Sequence, residues 1–272
     1  MGLFSVPKEV LSNKRLVLTL AKNDFKTQFS GSYLGTVWAF VQPVVTVCVY
    51  WFVFEKALHA GGVGLKDGIT VPFVLWLIAG LVPWFYFSDA VSGGTSALIQ
   101  YNFLVKKVVF NVSILPVVKV MSALFVHLFF TCFTLIIFWI YGMAPDIYTL
   151  QLLYYMFCMC VLVTVIVYIT SAVVVFFRDL SQIINIFLQI CIWATPIMWN
   201  FEALAVSPVL KTIFKLNPMF YIVQGYRDCL IGKVAFWEHM NMTLYFWGLM
   251  IILFLIGMNV FNRLKVHFAD VL

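Results

Sequence analysis

The side chains that could carry out covalent chemistry are scattered along this chain. The four histidines show no metal-ligand spacing; they are His59, His127, His239 and His267. The acids that could serve as catalytic groups are equally isolated: Asp89, Asp179, Asp228 and Glu238. No phosphate-binding G-x-x-x-x-G-K-[ST] segment occurs either. Because an active site needs such groups brought together, the pattern disfavours an enzyme. It predicts no catalytic residue, no metal and no cofactor bound by this chain.

Asp89 is the acid with the most unusual surroundings. It interrupts an apolar stretch that runs from residue 68 to residue 105 and is long enough to cross a bilayer. An ionisable group at the bilayer centre costs at least about 2.5–3.5 kcal/mol, so it is expected to have a partner. We expect Asp89 to pair with Lys119 or Lys106, with snorkelling to the interface as the alternative. Paired mid-membrane carboxylates, typical of a proton-coupled carrier, are not present.

Aromatic side chains are abundant, with 28 Phe, 12 Tyr and 9 Trp. Many are expected at the two membrane interfaces, where Trp and Tyr anchor spanning helices. The run Trp84-Phe85-Tyr86-Phe87 and the pair Trp193 and Trp199 lie inside apolar stretches instead. Flat amphipathic rings could line a path for a sugar or polyol chain, whose hydroxyls are costly to leave unpaired in hydrocarbon.

The elements that must position these residues are predicted from hydropathy. The chain has 272 residues, of which 64% are hydrophobic and 10% charged, whereas a soluble domain carries about a quarter charged residues. A helix needs roughly 20 apolar residues to cross the bilayer. The sequence therefore predicts an all-α integral membrane protein with six spans, at about 36–56, 70–92, 115–140, 150–176, 182–200 and 242–262.

The basic residues predict the orientation of these spans. An even number of spans places both termini on one side, and most Lys and Arg residues lie in the arm, loops and tail on that side. The positive-inside rule then predicts cytoplasmic termini. The net charge of +6 is interpreted as a topology and lipid-headgroup signal, not as a nucleic-acid site.

Three segments outside the spans have amphipathic patterns. In residues 12–29, Leu18, Ala21, Phe25 and Phe29 share one helical face opposite basic residues, which predicts an interfacial helix. Residues 100–113 are too polar for lipid yet too apolar for a solvated loop, which predicts docking to a cytoplasmic partner, with a helix on the headgroups as the alternative. Residues 216–226 are apolar, interrupted by Pro218 and Gly225, and too short to span, which predicts a re-entrant or interfacial hairpin before the last span.

The order of short motifs around the six predicted spans resembles the permease subunits of ABC-2-type exporters of lipid-linked polysaccharides and teichoic acids. The resemblance covers nearly the whole chain. It is carried by Tyr33-Leu34-Gly35, Gln42-Pro43, Leu81-Val82-Pro83-Trp84-Phe85, Val112-Ser113-Ile114-Leu115-Pro116, Phe177-Arg178-Asp179-Leu180, Thr195-Pro196-Ile197, Leu216-Asn217-Pro218-Met219-Phe220-Tyr221 and Gly225-Tyr226-Arg227.

Within that family the chain looks most similar to the wall teichoic acid permeases of Gram-positive bacteria. Four segments carry this narrower likeness: Tyr50-Trp51-Phe52-Val53-Phe54, Lys119-Val120, Tyr154-Tyr155-Met156-Phe157-Cys158-Met159 and Leu244-Tyr245-Phe246-Trp247. O-antigen and capsule permeases share most of the pattern and form the alternative. A small-molecule permease of the same architecture is a more distant one.

The resemblance implies a domain plan: a cytoplasmic arm (1–35), a transmembrane domain (36–262) and a cytoplasmic tail (263–272). It also implies partners, namely a second copy of this chain, two copies of an ABC ATPase that hold ATP and Mg²⁺, a lipid-linked polymer and the lipids of a bacterial cell membrane. A coupling helix is implied at about 101–111 and a re-entrant segment at about 213–231.

The resemblance and the patterns together give three groups of site residues. The coupling group is Tyr101, Phe103, Leu104, Lys106, Lys107 and Phe110. The candidate substrate path is Trp38, Trp84, Phe85, Tyr86, Asp89, Trp193, Trp199, Tyr221 and Arg227. The interfacial helix contributes Lys14, Arg15, Lys22, Phe25 and Lys26 beside the substrate.

Overall fold

The computed structural model describes residues 5–28, 30–57, 59, 61–64, 70–106, 111–199, 201 and 207–272. Helices dominate this part of the chain. The α-helices are α1 Ser5–Ser12, α2 Lys14–Thr27, α3 Trp38–Trp51, α4 Phe73–Thr95, α5 Ala97–Gln100, α6 Asn102–Val105, α7 Leu115–Ile140, α8 Gln151–Val174, α9 Leu180–Ala194, α10 Pro208–Lys215, α11 Pro218–Arg227, α12 Met240–Leu264 and α13 Phe268–Val271.

Shorter elements extend or connect these helices. The 3₁₀ turns are Gly35–Val37, Val112–Ile114, Ile147–Leu150, Phe236–His239 and Lys265–His267, and the π turns are Phe52–Ala57 and Asp228–Gly232. Two short antiparallel strands, β1 Val63–Gly64 and β2 Thr70–Val71, pair between α3 and α4.

Five of the six predicted spans are confirmed as helices long and apolar enough to cross a membrane. Including their 3₁₀ and π extensions, they are Gly35–Ala57, Phe73–Thr95, Val112–Ile140, Ile147–Val174 and Phe236–His267. The hydropathy windows placed most of their ends within a few residues, because each span is bounded by polar or turn-forming sequence.

The sixth predicted span, residues 182–200, is not confirmed. The apolar helix there, α9, has 15 residues and ends at Ala194, so at 1.5 Å per residue it is about 22 Å long. Thr195 has extended backbone angles (φ −98°, ψ 130°), the conformation that a following proline favours. Pro196 thus ends α9 early. The described residues contain five helices long and apolar enough to span a membrane, so the predicted count of six spans is not confirmed.

The segment predicted to form a hairpin before the last span contains two short helices. Ser207 caps α10 and Asn217 caps α11, and each is followed by a proline at the first helical position. Val209, Leu210 and Ile213 of α10 are exposed, whereas nearly all of α11 is buried. The sequence correctly placed a break at Pro218, but Gly225 lies inside α11. The depth of this helix pair in a membrane stays a prediction.

The second span, α4, is the centre of the bundle. It contacts α7, α8, α9 and α11, and 83% of its most apolar window is buried, against 11% for the first span. Gly94 allows the crossing with α8, since a Cβ there would lie 2.6 Å from a methyl group of Val167. The first span and α9 instead present apolar side chains outward.

Both described ends of the chain lie at the same end of the bundle. Lys265 Nζ donates to Glu9 Oε2 at 3.0 Å and to Ser113 Oγ at 2.8 Å. Val6 of α1 and Phe268 of α13 belong to one buried cluster. We call this the terminal end of the bundle; its location in the cytoplasm stays a prediction.

The Glu9–Lys265 contact should make the C-terminal tail sensitive to acid. Burial acts to raise the pKa of Glu9, but hydrogen bonds with Ser113 and Lys265 and the Lys265 charge outweigh it, so the pKa lies below its usual 4.5. The stabilisation is therefore complete above pH 4.5 and is lost as pH falls through the lower folded-state pKa.

We expect hydrogen exchange in residues 265–271, corrected for intrinsic rates, to accelerate about threefold on acidification, as for a weak ion pair. Glu9→Gln should exchange at the faster corrected rate at every pH. A tail that responds to acid equally in both proteins would contradict this origin.

Candidate functional site

A polar cavity opens near the terminal end of the bundle. Its volume is about 430 Å³, and it is lined by side chains from α2, α4, α5 and α7 together with Tyr101. Asp24, Asp89, Tyr101 and Lys119 are the lining residues with ionisable groups. In a chain this apolar, so many polar groups around one cavity mark a candidate functional site.

Asp24 is the residue on which the polar contacts converge. Its carboxylate is 6% exposed, and its Oδ1 lies 2.6 Å from Lys119 Nζ, which is 14% exposed. The Tyr101 hydroxyl donates to the same oxygen, and Lys119 Nζ lies 5.5 Å from the centre of the Tyr101 ring. Burial and the hydrogen bond to the negatively charged Asp24 carboxylate raise the pKa of Tyr101. The Tyr101 hydroxyl therefore stays protonated at neutral pH and donates to Asp24.

The prediction that Asp89 pairs with Lys119 or Lys106 is wrong. Lys119 pairs with Asp24 instead, and within the described chain no ion pair joins Asp89 to Lys119 or Lys106. Asp89 faces the same cavity from α4. Asp89 is exposed in the single chain, so its carboxylate lies at an open polar cavity without an ion-pair partner among the described residues.

The buried face of α2 differs from the predicted one. The residues packed inward are Val17, Ala21 and Asp24, at spacings of four and three, and the first two contact Ile114 and Val118. Leu18 is exposed, and Phe29 lies outside the described residues. Asp24 is the only acid between Glu9 and Glu55. A single acid on the same helical face as Val17 and Ala21 is the sequence signal that could have identified Asp24 as a site residue.

Comparison with known proteins shows which family the chain belongs to. The family described as ABC-2 type transporter matches residues 15–231. The chain belongs to the ABC-2 type transporter family. Permeases of this family are membrane components that work with separate ABC ATPases. The several apolar helices of this permease are consistent with a multi-pass membrane protein.

Curated relatives of this permease are named for polysaccharide export. O-antigen export system permease protein RfbA of Klebsiella pneumoniae is 26% identical over 260 residues, covering 94% of this chain and 95% of the relative. A protein of the same name from Myxococcus xanthus is 26% identical over 233 residues, covering 85% and 84%. Both relatives are named for O-antigen, and neither name refers to teichoic acid.

The predicted coupling residues of the permease lie at the terminal end. Tyr101 turns inward to Asp24, whereas Phe103 is 57% exposed. Leu104 is half-buried, Lys106 is exposed, and Lys107 and Phe110 lie outside the described residues. The described part of this segment forms the short helices α5 and α6, with a turn at Tyr101 between them.

The basic residues predicted beside the substrate keep their solvent-facing positions on α2. Lys14, Arg15, Lys22 and Lys26 are exposed. Phe25 is half-buried, with its ring centre 6.3 Å from that of Phe40 and 6.1 Å from that of Phe125. Phe25 therefore joins α2 to the first and third spans.

The structure does not bring the candidate path residues together within one chain. Trp38 and Trp193 are exposed, Phe85 and Trp199 are half-buried, and Trp84 and Tyr86 are buried. Asp89 alone among them lines the cavity described above. The described residues of a single chain therefore do not form a path through all of these side chains.

Tyr221 and Arg227 lie on α11 and have hydrogen-bond partners in other elements. The Tyr221 hydroxyl lies 2.9 Å from Thr243 Oγ1 and 3.1 Å from the Tyr154 hydroxyl. Arg227 is 5% exposed and donates to the carbonyl oxygens of Pro196 and Ile197 at 2.6 and 2.9 Å. In this conformation Arg227 faces carbonyl groups, so it is not free to attract substrate phosphates.

Proposed function

We propose that this permease is the transmembrane subunit of an ABC exporter that moves a lipid-linked polysaccharide of the O-antigen or capsule type from the inner to the outer face of a bacterial cell membrane. The observation that carries the proposal is the similarity to O-antigen export permeases along 94% of the chain. The lack of a phosphate-binding loop in the sequence supports transport driven by a separate ATPase subunit.

The proposed complex contains two copies of this chain and two copies of an ABC ATPase that binds ATP and Mg²⁺. The outward apolar faces of the first span and α9 support burial against a second copy or lipid. The exposed Phe103, with half-buried Leu104 beside it, supports docking of the ATPase at the terminal end. Such docking requires that this end, with both termini, faces the cytoplasm, as the basic residues predict.

Substrate selection is proposed to begin at the terminal end. The exposed basic side chains of α2 are suited to headgroup and diphosphate charges. The cavity beside Asp24 offers amide, hydroxyl and carboxylate groups that match sugar hydroxyls. The aromatic side chains Trp38 and Trp193 are proposed to face the polymer in the assembled dimer.

Export of wall teichoic acid is the second candidate. It is favoured by the four segments that carry the narrower likeness, among them residues 50–54 and 154–159. A polyol-phosphate chain is anionic, and an inside-negative potential favours its export by about 2.3 kcal/mol per charge per 100 mV.

Depletion of this chain in its native cells, followed by analysis of the undecaprenyl-linked polymers, separates the candidates. We expect neutral or uronic glycans to accumulate on the inner leaflet and to disappear again on complementation with the intact chain. Accumulation of polyol-phosphate chains with loss of wall phosphate would establish teichoic acid export instead. No accumulation of a lipid-linked polymer would overturn both and favour a small-molecule permease.

A further inference from the structure

Three separate elements meet at one carboxylate oxygen in this chain. Asp24 comes from the amphipathic helix α2, Lys119 from the span α7, and Tyr101 from the turn between α5 and α6. Lys119 and Tyr101 both bind Oδ1 of Asp24, and the Lys119 ammonium also lies over the Tyr101 ring. Movement of any one element must therefore change the contacts of the other two.

The rest of the contact between α2 and α7 is apolar. Val17 and Ala21 pack on Ile114 and Val118, nearer the start of α7. In the C-terminal half of α2, Phe25 packs on Phe125, and the neighbouring Asp24 supplies the polar contacts. Docking of this half therefore combines one aromatic contact with the ion pair and hydrogen bond of Asp24.

The position of Asp24 beside an open cavity makes its contacts breakable. A buried ion pair separates at high cost, because each charge is left without water. Here the cavity of about 430 Å³ is lined by both partners as well as by Gln28, Gln100 and Ser122. Water and these side chains can receive the separated charges, so the ion pair can open without stranding them.

We propose that Asp24, Lys119 and Tyr101 form a latch that holds the C-terminal half of α2 against α7 for as long as the Tyr101 turn stays in place. Displacement of that turn removes the hydroxyl donor from Asp24 and weakens the docking of α2. Tyr101 is thereby a positioning residue that transmits movement of the α5–α6 segment to the amphipathic helix.

The latch is tested by hydrogen exchange on the purified permease in lipid nanodiscs. We expect Tyr101→Phe to increase exchange in residues 14–27 about tenfold, the factor for loss of a hydrogen bond to a charged group. This variant keeps the aromatic ring, so only the hydroxyl is removed. Tyr33→Phe is the matched control, because Tyr33 is exposed, and it should leave exchange in α2 unchanged.

A second background separates a latch from ordinary packing. In Asp24→Leu/Lys119→Met the charges are replaced by apolar groups of similar size, a change that often leaves a buried site stable. There we expect α2 to remain protected and Tyr101→Phe to have no effect on its exchange. Equal effects of Tyr101→Phe in both backgrounds, or no effect in either, would overturn the latch.

The exchange experiment needs neither the ATPase nor the polymer. A failure of the latch is therefore distinguishable from a failure of the proposed export function. If the double variant does not fold, Asp24→Ala, which removes the acceptor for both Tyr101 and Lys119, provides the alternative background: α2 should already exchange faster, and Tyr101→Phe should add less than twofold. A further tenfold increase there would overturn the latch.

Discussion

Gly225→Ala is expected to lower the thermal stability of this permease strongly. A Cβ at position 225 would lie 2.1 Å from Cε1 of Tyr155 and 2.2 Å from its Cζ. Tyr155 is 1% exposed, and its ring packs against those of Tyr154 and Tyr221, with centres 5.2 and 5.4 Å away. Because the ring cannot withdraw, we expect a loss of more than about 3 kcal/mol of stability, at the upper end of overpacking effects.

Gly248→Ala is the matched control for this substitution. Gly248 also lies in a helix, but a Cβ there would meet nothing within 4 Å. It should be neutral or stabilising by up to about 1 kcal/mol, the helix-propensity gain. Thermal unfolding monitored by size-exclusion chromatography would compare the two. Equal midpoints would show that the Tyr155 ring yields and that the close contact is not required.

Arg227→Met is expected to release the segment that follows α9. Arg227 donates to the carbonyl oxygens of Pro196 and Ile197, which lie just past the end of α9, and its guanidinium carbon lies 3.3 Å from the centre of the Trp76 ring. Methionine fills much of the space but donates no hydrogen bond, so both carbonyls lose a charged donor. We expect a loss of about 2–4 kcal/mol and faster hydrogen exchange in residues 195–199.

Lys215→Met is the control for Arg227→Met. Lys215 also lies over an aromatic ring, that of Phe201 at 5.7 Å, but it is exposed, so we expect a change within about 0.5 kcal/mol. Arg227→Lys should not restore stability fully, since an ammonium cannot reproduce the planar fork and ring stacking of a guanidinium. If Arg227→Met and Lys215→Met had equal effects, Arg227 would not fix the chain after α9.

The spans could be predicted from sequence because hydropathy is a local property. Each window of some 20 apolar residues specifies a helix without reference to any other part of the chain. The early end of α9 was also present in the sequence, at Thr195-Pro196, but the hydropathy window includes both residues without penalty. Local backbone restriction by proline outweighed a favourable apolar composition there.

The contacts of the site could not be predicted in the same way. Lys119 and Asp89 were both recognised as unusual, but the pairing of Lys119 with Asp24 instead of Asp89 depends on how α2 packs against α7. Gly225 was taken as a break for the same reason, since its role is set by Tyr155, 70 positions away in the chain. The pattern identified which residues are unusual, while the tertiary packing decides which of them meet.

The outward-facing first span has a consequence for biosynthesis. Only Ala39 and Val47 of α3 are buried, so little of the chain made afterwards covers this helix. The most apolar window of this 23-residue span has mean hydropathy 1.8, and the span must therefore be stable in lipid alone from the moment it leaves the ribosome. The next span, α4, carries Asp89 and is covered mainly by helices synthesised later. The first span can thus integrate immediately, whereas the second must wait for α7 and α8 before its polar face is sheltered.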